Sequence, residues 1–245
     1  MIRLALLLLA LALPASAADV TGLEWQPHPG VALPMAAPLR DASGAPTTLA
    51  EVAQRRPLIL APGYFKCPNL CGVVRDDLFA ALAASKLPLS RYAVALVTID
   101  PAETPADAHA AREAVLGRYP DAEFAVLTGP AASLDAIAGA AGFRARLDPV
   151  TKQFIHPAGI AFASPSGEIE SYLFGVGYSP EDLKAAVAAA EAGQFRPAEP
   201  VHLFCFSYDP ATGRFTATVM EALRSAAVLT VVAIAVLLLR MARRA

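Results

Sequence analysis

Residues 58–71 read LILAPGYFKCPNLC, and this stretch predicts the centre of the fold. The apolar run at 58–61 is typical of a buried strand, and the glycine at position 63 marks the turn that follows it. Proline is tolerated in the first turn of a helix, so Pro68 predicts a helix that runs to about Ala84. The chain therefore passes from a buried strand through a turn with two cysteines into a helix.

The rest of residues 38–195 alternates short apolar runs with amphipathic stretches. Strands are predicted at 92–99 and 124–127, hairpins at 39–49 and at 160–174, and helices at 105–118, 131–141 and 180–193. Caps such as Thr104 before Pro105, and Gly142 after the second of these helices, support the boundaries. The pattern predicts an α/β domain in which helices flank a sheet of mixed strand direction.

The N-terminus has the pattern of an export signal. Arg3 precedes an apolar run, and the small residues Ala15, Ser16 and Ala17 follow it, which predicts a cleavable signal peptide at 1–17. An uncleaved membrane anchor is the alternative, although the apolar run is short for a span. With either a cleaved signal or an anchor, the body of the protein is exported. Residues 18–37 are predicted to be a linker.

The C-terminus predicts a membrane span at 219–239. The uncharged run at 225–239 alone is too short for a hydrocarbon core of about 30 Å, but extension to Val219 brings it to a spanning length. Arginines in the tail at 240–245 place that tail in the cytoplasm. A buried core helix is the alternative. The segment at 196–218 is then juxtamembrane, and the body lies outside the cytoplasm.

Composition excludes several classes of protein. The chain has 245 residues, 56% of them hydrophobic, a formal net charge of -2 and three cysteines. It is too apolar to be disordered, and without a basic run in its body it is not expected to bind nucleic acid. Three cysteines are too few for a scaffold held by disulfides. Any cysteine chemistry must therefore come from one local site.

Cys67 and Cys71 form the most informative pair. Four-residue spacing on a helix puts both sulfurs on one face, one turn apart. A helix N-terminus stabilises negative charge, so the pKa of Cys67 is expected to be lowered. Such a pair can close to a disulfide or hold a soft cation such as Cu(I), and both readings stay open. Zinc is less favoured, because a closed zinc site needs about four ligands.

His156 is the best candidate for a third ligand. It lies directly before Pro157 and a predicted buried strand. A single histidine is also common as a hydrogen-bonded structural residue, so ligation is one of two readings. His28, His109 and His202 lie in a linker, on a helix surface and near the membrane segment, where no ligand role is expected.

Three motifs together resemble the Sco/SenC family of thioredoxin-like copper proteins. They are the turn from Cys67 to Cys71, the sequence TIDP at 98–101 followed by ETP at 103–105, and the His156 segment with its SGE hairpin at 166–168. Their order and spacing match from about residue 32 to 193. The sequence FCFSYDPATG at 204–213, before a terminal span, is similar to a bacterial branch of the family.

The resemblance implies a thioredoxin-like fold at 38–195 and a copper site formed by Cys67, Cys71 and His156, holding Cu(I), with Cu(II) as a second state to consider. It also implies delivery of copper to the binuclear copper centre of cytochrome c oxidase, or maturation of that centre. The expected partner is the copper-bearing oxidase subunit or another copper chaperone. The expected location is the periplasmic side of the inner membrane, with the C-terminal helix as a single-pass anchor.

An enzymatic alternative uses the same sulfurs. Cys67 and Cys71 would then be the catalytic thiols of a thiol-disulfide oxidoreductase that reduces the cysteines of a copper-receiving partner. Oxidoreductases of this fold usually place two residues between their cysteines, whereas this chain has three, and they need no histidine ligand. Both features favour metal binding.

Three positions add detail to the resemblance. Better-known members have a proline after the second cysteine and an aspartate before the histidine, where this chain has Gly72 and Ile155. Without the aspartate, the imidazole lacks one group that could orient it. The third cysteine, Cys205, is either a small buried hydrophobe or a further redox thiol.

Overall fold

A computed structural model describes residues 23, 25–67, 70–149, 152–197, 208–209, 214–215, 225–234 and 240. The chain divides into two compact units, residues 21–205 and residues 1–20 with 206–245. The unit at 21–205 contains every cysteine and histidine that the structure describes.

Helices and short strands alternate along the larger unit. In chain order they are β1 (Leu39–Arg40), β2 (Pro46–Thr47), α1 (Leu49–Ala53), β3 (Leu58–Gly63), α2 (Leu70–Ser85), β4 (Ala93–Thr98), α3 (Pro105–Leu116), β5 (Ala125–Leu127), α4 (Ala131–Ala140), β6 (Arg146–Leu147), β7 (Phe154–Ile155), β8 (Gly159–Ala163), β9 (Ile169–Phe174) and α5 (Pro180–Ala192). A 3₁₀ turn, Leu89–Arg91, precedes β4. The predicted strands, helices and hairpins are all present, with boundaries that differ by up to two residues in most cases.

The central sheet has five strands in the order β5-β4-β3-β8-β9. β3, β4 and β5 are parallel, while β8 runs antiparallel to β3 and to β9. The prediction of a mixed sheet flanked by helices is confirmed. Because β8 is antiparallel to β3, the start of β8 and the end of β3 lie at the same edge of the sheet, and the end of β4 lies there too.

The strand side chains alternate between two cores, as the period of a strand requires. In β3, Ile59 packs with α2, α3 and α5, while Leu58 and Leu60 pack on the other face with α1 and α4. All three are fully buried. Burial on both faces explains why β3 and β4 are continuous apolar runs rather than alternating ones.

Helix ends follow the capping residues in the sequence. Thr104 and Asp107 form a reciprocal capping box at the start of α3, with Pro105 in its first turn. Ser179 caps α5, and Gly193 ends it in the left-handed conformation, with φ of 61°. These local signals made α3 and α5 predictable from sequence.

The segment before β1 contributes to the core. Trp25 is 6% exposed and packs edge-on against Phe143 and Tyr172. The Gln26 amide donates to the Gly142 carbonyl, and a Cβ at Gly142 would lie 1.8 Å from the Gln26 oxygen. Gly142, at φ of 71°, therefore allows this close approach. This part of the predicted linker at 18–37 is packed against the domain.

A second finding without a sequence signal is the hairpin of β6 and β7, which pairs Arg146 with Ile155. Both strands have only two residues, too short for hydrophobic periodicity to show. The hairpin ends directly before His156. It therefore sets where the histidine enters the sheet edge.

The other unit has a two-residue antiparallel pair, β10 (Tyr208–Asp209) and β11 (Arg214–Phe215), and helical residues at 225–234. None of the helices within the described residues is long and apolar enough to cross a membrane. Most of the predicted span at 219–239, the signal peptide at 1–17 and Cys205 lie outside the described residues.

Candidate metal centre

The two cysteines follow the end of β3. Residues 64–67 form a turn closed by a hydrogen bond from the Cys67 amide to the Tyr64 carbonyl, at 3.4 Å. Cys71 lies in the first turn of α2, as the spacing predicts. Both thiols are free, with Cys71 buried and Cys67 half-buried. The segment 63–71, which contains this turn and the start of α2, is called the cysteine half of the site.

His156 approaches these sulfurs from the segment directly before β8, the strand that pairs with β3. It lies between β7 and β8, 2% exposed, and its Nε2 is 3.1 Å from the Cys71 Sγ. The donor atoms of Cys67, Cys71 and His156 all lie within 4.8 Å of one another. The antiparallel pairing of β8 with β3 brings together residues that are 85 positions apart in the chain. The residues around His156, 154–159, are called the histidine half.

The His156 ring is oriented by its own backbone neighbour. Nδ1 lies 2.9 Å from the Pro157 carbonyl oxygen, which can only accept, so Nδ1 carries a proton. Nε2 therefore faces the sulfurs and is available as a ligand. Ile155 stands where the better-known relatives have an aspartate, and here the Pro157 carbonyl supplies the orienting contact.

Aromatic rings enclose the imidazole. Phe143 lies with its ring centroid 5.4 Å from that of His156, and Tyr64 approaches edge-on at 5.9 Å. Phe154 packs against Tyr64 at 5.6 Å. These rings exclude water from one side of the site and limit rotation of the imidazole.

The pKa of Cys67 is raised to about 12, so the prediction of a lowered pKa is wrong for the metal-free protein. The hydrogen bond with Cys71 is the largest cause, and burial adds to it. A hydrogen bond with His156 acts in the opposite direction but does not compensate. A helix N-terminus favours a thiolate, but here a neighbouring sulfur and burial outweigh it. A metal must therefore displace the proton of Cys67.

His156 also binds its proton tightly. Burial disfavours the imidazolium, but hydrogen bonds with the sulfurs of Cys67 and Cys71 favour it and raise the pKa of His156 to about 10. The Pro157 carbonyl acts in the same direction. Protons thus occupy the positions that a cation would take, and a metal exchanges with them.

Glu103 is a contact that the sequence did not predict. It is 5% exposed, and its carboxylate accepts hydrogen bonds from the amides of Phe65 and Lys66, at 2.9 and 2.7 Å. Thr98 donates its hydroxyl to the same carboxylate. Glu103 belongs to the ETP motif, but nothing local in that motif reveals that it reaches the cysteine half.

A pocket opens beside Cys71 and His156. Its lining is mostly apolar and comes from the end of β3, from β4 and from the residues before β8, together with Phe65 of the turn and Val74 of α2. Among the described residues that line it, Arg75 and His156 are the ones that can carry a positive charge. The pocket borders two of the three donor residues, Cys71 and His156.

His28 and His109, the other two histidines within the described residues, take no part in this site. His28 contacts the Ala140 carbonyl at 3.3 Å, and His109 is exposed on α3. His202 and Cys205 lie outside the described residues. The structure thus brings together the three predicted ligands. His28 and His109, for which no ligand role was predicted, are not part of this group.

The donor set fits a soft cation. Two thiolates and one imidazole suit Cu(I), which accepts low coordination numbers, whereas a structural zinc site needs about four ligands. Among the described residues, no other group of three histidine, cysteine or carboxylate side chains is arranged to hold a metal. Cys67, Cys71 and His156 are the residues that would hold copper.

Comparisons with solved structures support the fold. The chain superposes on a candidate electron transfer protein from Aquifex aeolicus with a TM-score of 0.61 and 24% identity, covering 67% of this chain and 95% of that one. ScoI of Arabidopsis thaliana, solved with copper bound, gives 0.55 and 16%, covering 66% and 99%. BsSco, a Sco-family cytochrome c oxidase assembly protein with a disulfide switch, gives 0.50 and 16%, covering 72% and 96%.

The family is shown by sequence. No curated protein matches the chain by sequence. A family model for SCO1/SenC proteins, however, matches residues 38–192, which is more than half of the chain and includes all three donors. This confirms the resemblance drawn from the cysteine turn, the TIDP motif and the histidine segment. The chain belongs to the SCO1/SenC family.

Proposed function

We propose that the chain binds one copper ion through Cys67, Cys71 and His156 and delivers it during assembly of cytochrome c oxidase. The observation that carries this is the meeting of two thiols and one oriented imidazole within 4.8 Å. Copper is the metal in the Arabidopsis relative, and BsSco belongs to a family of oxidase assembly proteins. The recipient is the copper-bearing subunit of the oxidase or another copper chaperone.

The proposed location is the periplasmic side of the inner membrane. The export signal at 1–17 and the arginine-rich tail at 240–245 support it from sequence, with residues 219–239 as the single C-terminal anchor. A reporter active only in the cytoplasm, fused after Ala245, is expected to give signal. Activity of a periplasmic reporter at that position would place the C-terminal tail in the periplasm and refute the proposed orientation.

A second candidate function is thiol-disulfide exchange with a copper-receiving partner. The observation that favours it is that Cys67 and Cys71 are both free and that their sulfurs lie within 4.8 Å of each other, so they can close to a disulfide. In that reaction a partner disulfide is reduced to two thiols while Cys67 and Cys71 are oxidised to a disulfide. BsSco, a member of the Sco family, provides a precedent because it has a disulfide switch.

Metal analysis of the reduced chain tests the copper proposal. We expect about one copper per chain for the wild type and for Cys205→Ser, because Cys205 is not part of the donor set. Cys67→Ser and Cys71→Ser are each expected to abolish binding, because one sulfur and one imidazole leave too few soft donors. Stoichiometric copper in the Cys67→Ser/Cys71→Ser double variant would refute the assignment.

A further inference from the structure

A buried carboxylate beside the cysteine half has no part in the donor set. Glu103 lies in the loop between β4 and α3 and is only 5% exposed. Removing an ionised carboxylate from water is costly unless hydrogen bonds compensate. The contacts that hold Glu103 in place therefore indicate what it does.

Two of those contacts are with the turn at 64–67. Oε2 accepts from the Phe65 amide at 2.9 Å, and Oε1 accepts from the Lys66 amide at 2.7 Å. Phe65 and Lys66 are the two central residues of the turn that the Cys67 amide closes onto the Tyr64 carbonyl. One carboxylate thus binds both central amides of the turn that presents Cys67.

Further contacts join this arrangement to the sheet. The Thr98 hydroxyl, at the end of β4, donates to Glu103 Oε2. The Ile99 amide donates to the Gly63 carbonyl at 2.8 Å, which joins the ends of β3 and β4. Charge-assisted hydrogen bonds of this kind are stronger than neutral ones. The turn is therefore held against the parallel strands and not only by its own closing bond.

We infer that Glu103 is a positioning residue for copper binding: it fixes the turn at 64–67 so that the Cys67 sulfur stays within reach of Cys71 and His156. The inference rests on the proposed function, because the three donors are taken to receive copper. Glu103 touches no donor atom in the structure and acts through the backbone. Its loss leaves all three ligands present but lets the turn that carries one of them move.

Glu103→Gln is the direct test. A glutamine has a similar shape but offers one oxygen acceptor and one NH₂ donor, so one of the two turn amides then faces a donor. In the reduced full chain we expect Cu(I) affinity, measured by competition with a chelator, to fall about tenfold. Hydrogen exchange at the Phe65 and Lys66 amides is expected to become faster at the same time.

Glu170→Gln is the matched control. Glu170 is also 5% exposed, but it lies in β9, where its backbone carbonyl accepts from the Arg196 amide and its side chain lies near Gly193. Its loss is expected to leave copper affinity within twofold of wild type and the exchange of the turn amides unchanged. A general effect of removing a buried carboxylate would appear in both variants, whereas a positioning effect appears only in Glu103→Gln.

Thr98→Val supplies a graded test that also decides the matter if Glu103→Gln does not fold. It removes the hydrogen bond from Thr98 to the carboxylate, and with it the acceptor of the Asp100 amide, but leaves both turn amides bonded. About a threefold loss of copper affinity is expected. Wild-type affinity in Glu103→Gln, or in Thr98→Val if that is the only folded variant, would overturn the inference. Failure of the wild type to bind copper would instead refute the proposed function, and exchange of the turn amides would still report whether Glu103 holds the turn.

Discussion

The two halves of the site are held in different ways. The cysteine half, residues 63–71, is held by hydrogen bonds from its turn to Glu103, and Cys67 is half-buried. The histidine half, residues 154–159, is held by packing, with His156 2% exposed between Phe143 and Tyr64. The imidazole is thus part of the core, whereas the Cys67 thiol belongs to a turn whose position depends on a few polar contacts.

The backbone of the histidine half is also bonded to the segment before β1. The Trp25 indole donates to the Ala158 carbonyl at 3.1 Å, and Ala158 is 1% exposed. The cysteine half has no comparable aromatic contact from the segment before β1 among the described contacts. Oxidation, reduction and metal exchange are therefore expected to move the cysteine turn more than the histidine.

The largest expected effect comes from breaking the packing of the histidine half. Phe143→Ala removes a ring that is 3% exposed and is expected to reduce the free energy of unfolding by about 3–5 kcal/mol. Phe195→Ala, where the ring is 47% exposed, is the control and is expected to change it by no more than about 0.5 kcal/mol. Urea unfolding of both variants checks this. A loss of stability in Phe143→Ala that is no larger than the small loss expected for Phe195→Ala would mean that Phe143 does not support the core.

The next effect is a dependence of stability on pH in the reduced, metal-free chain. The pKa of His156 is raised to about 10, so its contribution is fully present below about pH 6.5 and is lost as the pH rises towards 10. The pKa of Cys67 is raised to about 12, so its contribution is lost above about pH 9. Both losses have the same sign. We expect the free energy of unfolding to fall by about 4 kcal/mol between pH 6.5 and pH 9.5.

Urea unfolding at several pH values measures that fall. The Cys67→Ser/Cys71→Ser double variant is the control. Without the sulfurs, only the Pro157 carbonyl still raises the pKa of His156, and burial opposes it, so the curve is expected to be flatter over this window. Stability that rises with pH in the reduced wild type would contradict the assigned protonation of the site.

A smaller effect separates the roles of the two halves. His156→Ala is expected to weaken Cu(I) binding by at least about tenfold, which is about 1.4 kcal/mol, because a carrier needs the third donor. The rate at which a dithiol reduces the Cys67–Cys71 disulfide is expected to stay within a few-fold of wild type, because that reaction uses only the sulfurs. Unchanged copper affinity with a collapse of thiol exchange would favour the oxidoreductase.

Most of the fold was predictable because its signals are local. The apolar runs of β3 and β4 and the caps at Thr104 and Ser179 depend on neighbouring residues. The donor set was predictable because the cysteine spacing is local and because His156 was recognised within a family motif. The comparison with SCO1/SenC proteins then confirmed the family.

The parts that were not predicted depend on contacts between distant residues. Glu103 reaches the turn only because parallel pairing puts the ends of β3 and β4 at one edge. The pKa of Cys67 was wrongly predicted because a helix N-terminus is visible in sequence, whereas the hydrogen bond with Cys71 and the burial of the thiol are not. Local electrostatics were thus outweighed by tertiary packing.

In the proposed complex, two sulfurs and one imidazole hold one copper ion, with one donor from each of Cys67, Cys71 and His156. X-ray absorption spectroscopy of the reduced chain loaded with one equivalent of Cu(I) measures this ligand set directly. We expect two sulfur neighbours and one nitrogen neighbour in the wild type, and loss of the nitrogen contribution in His156→Ala. A copper ion without sulfur neighbours, or a nitrogen contribution that persists in His156→Ala at full strength, would contradict it.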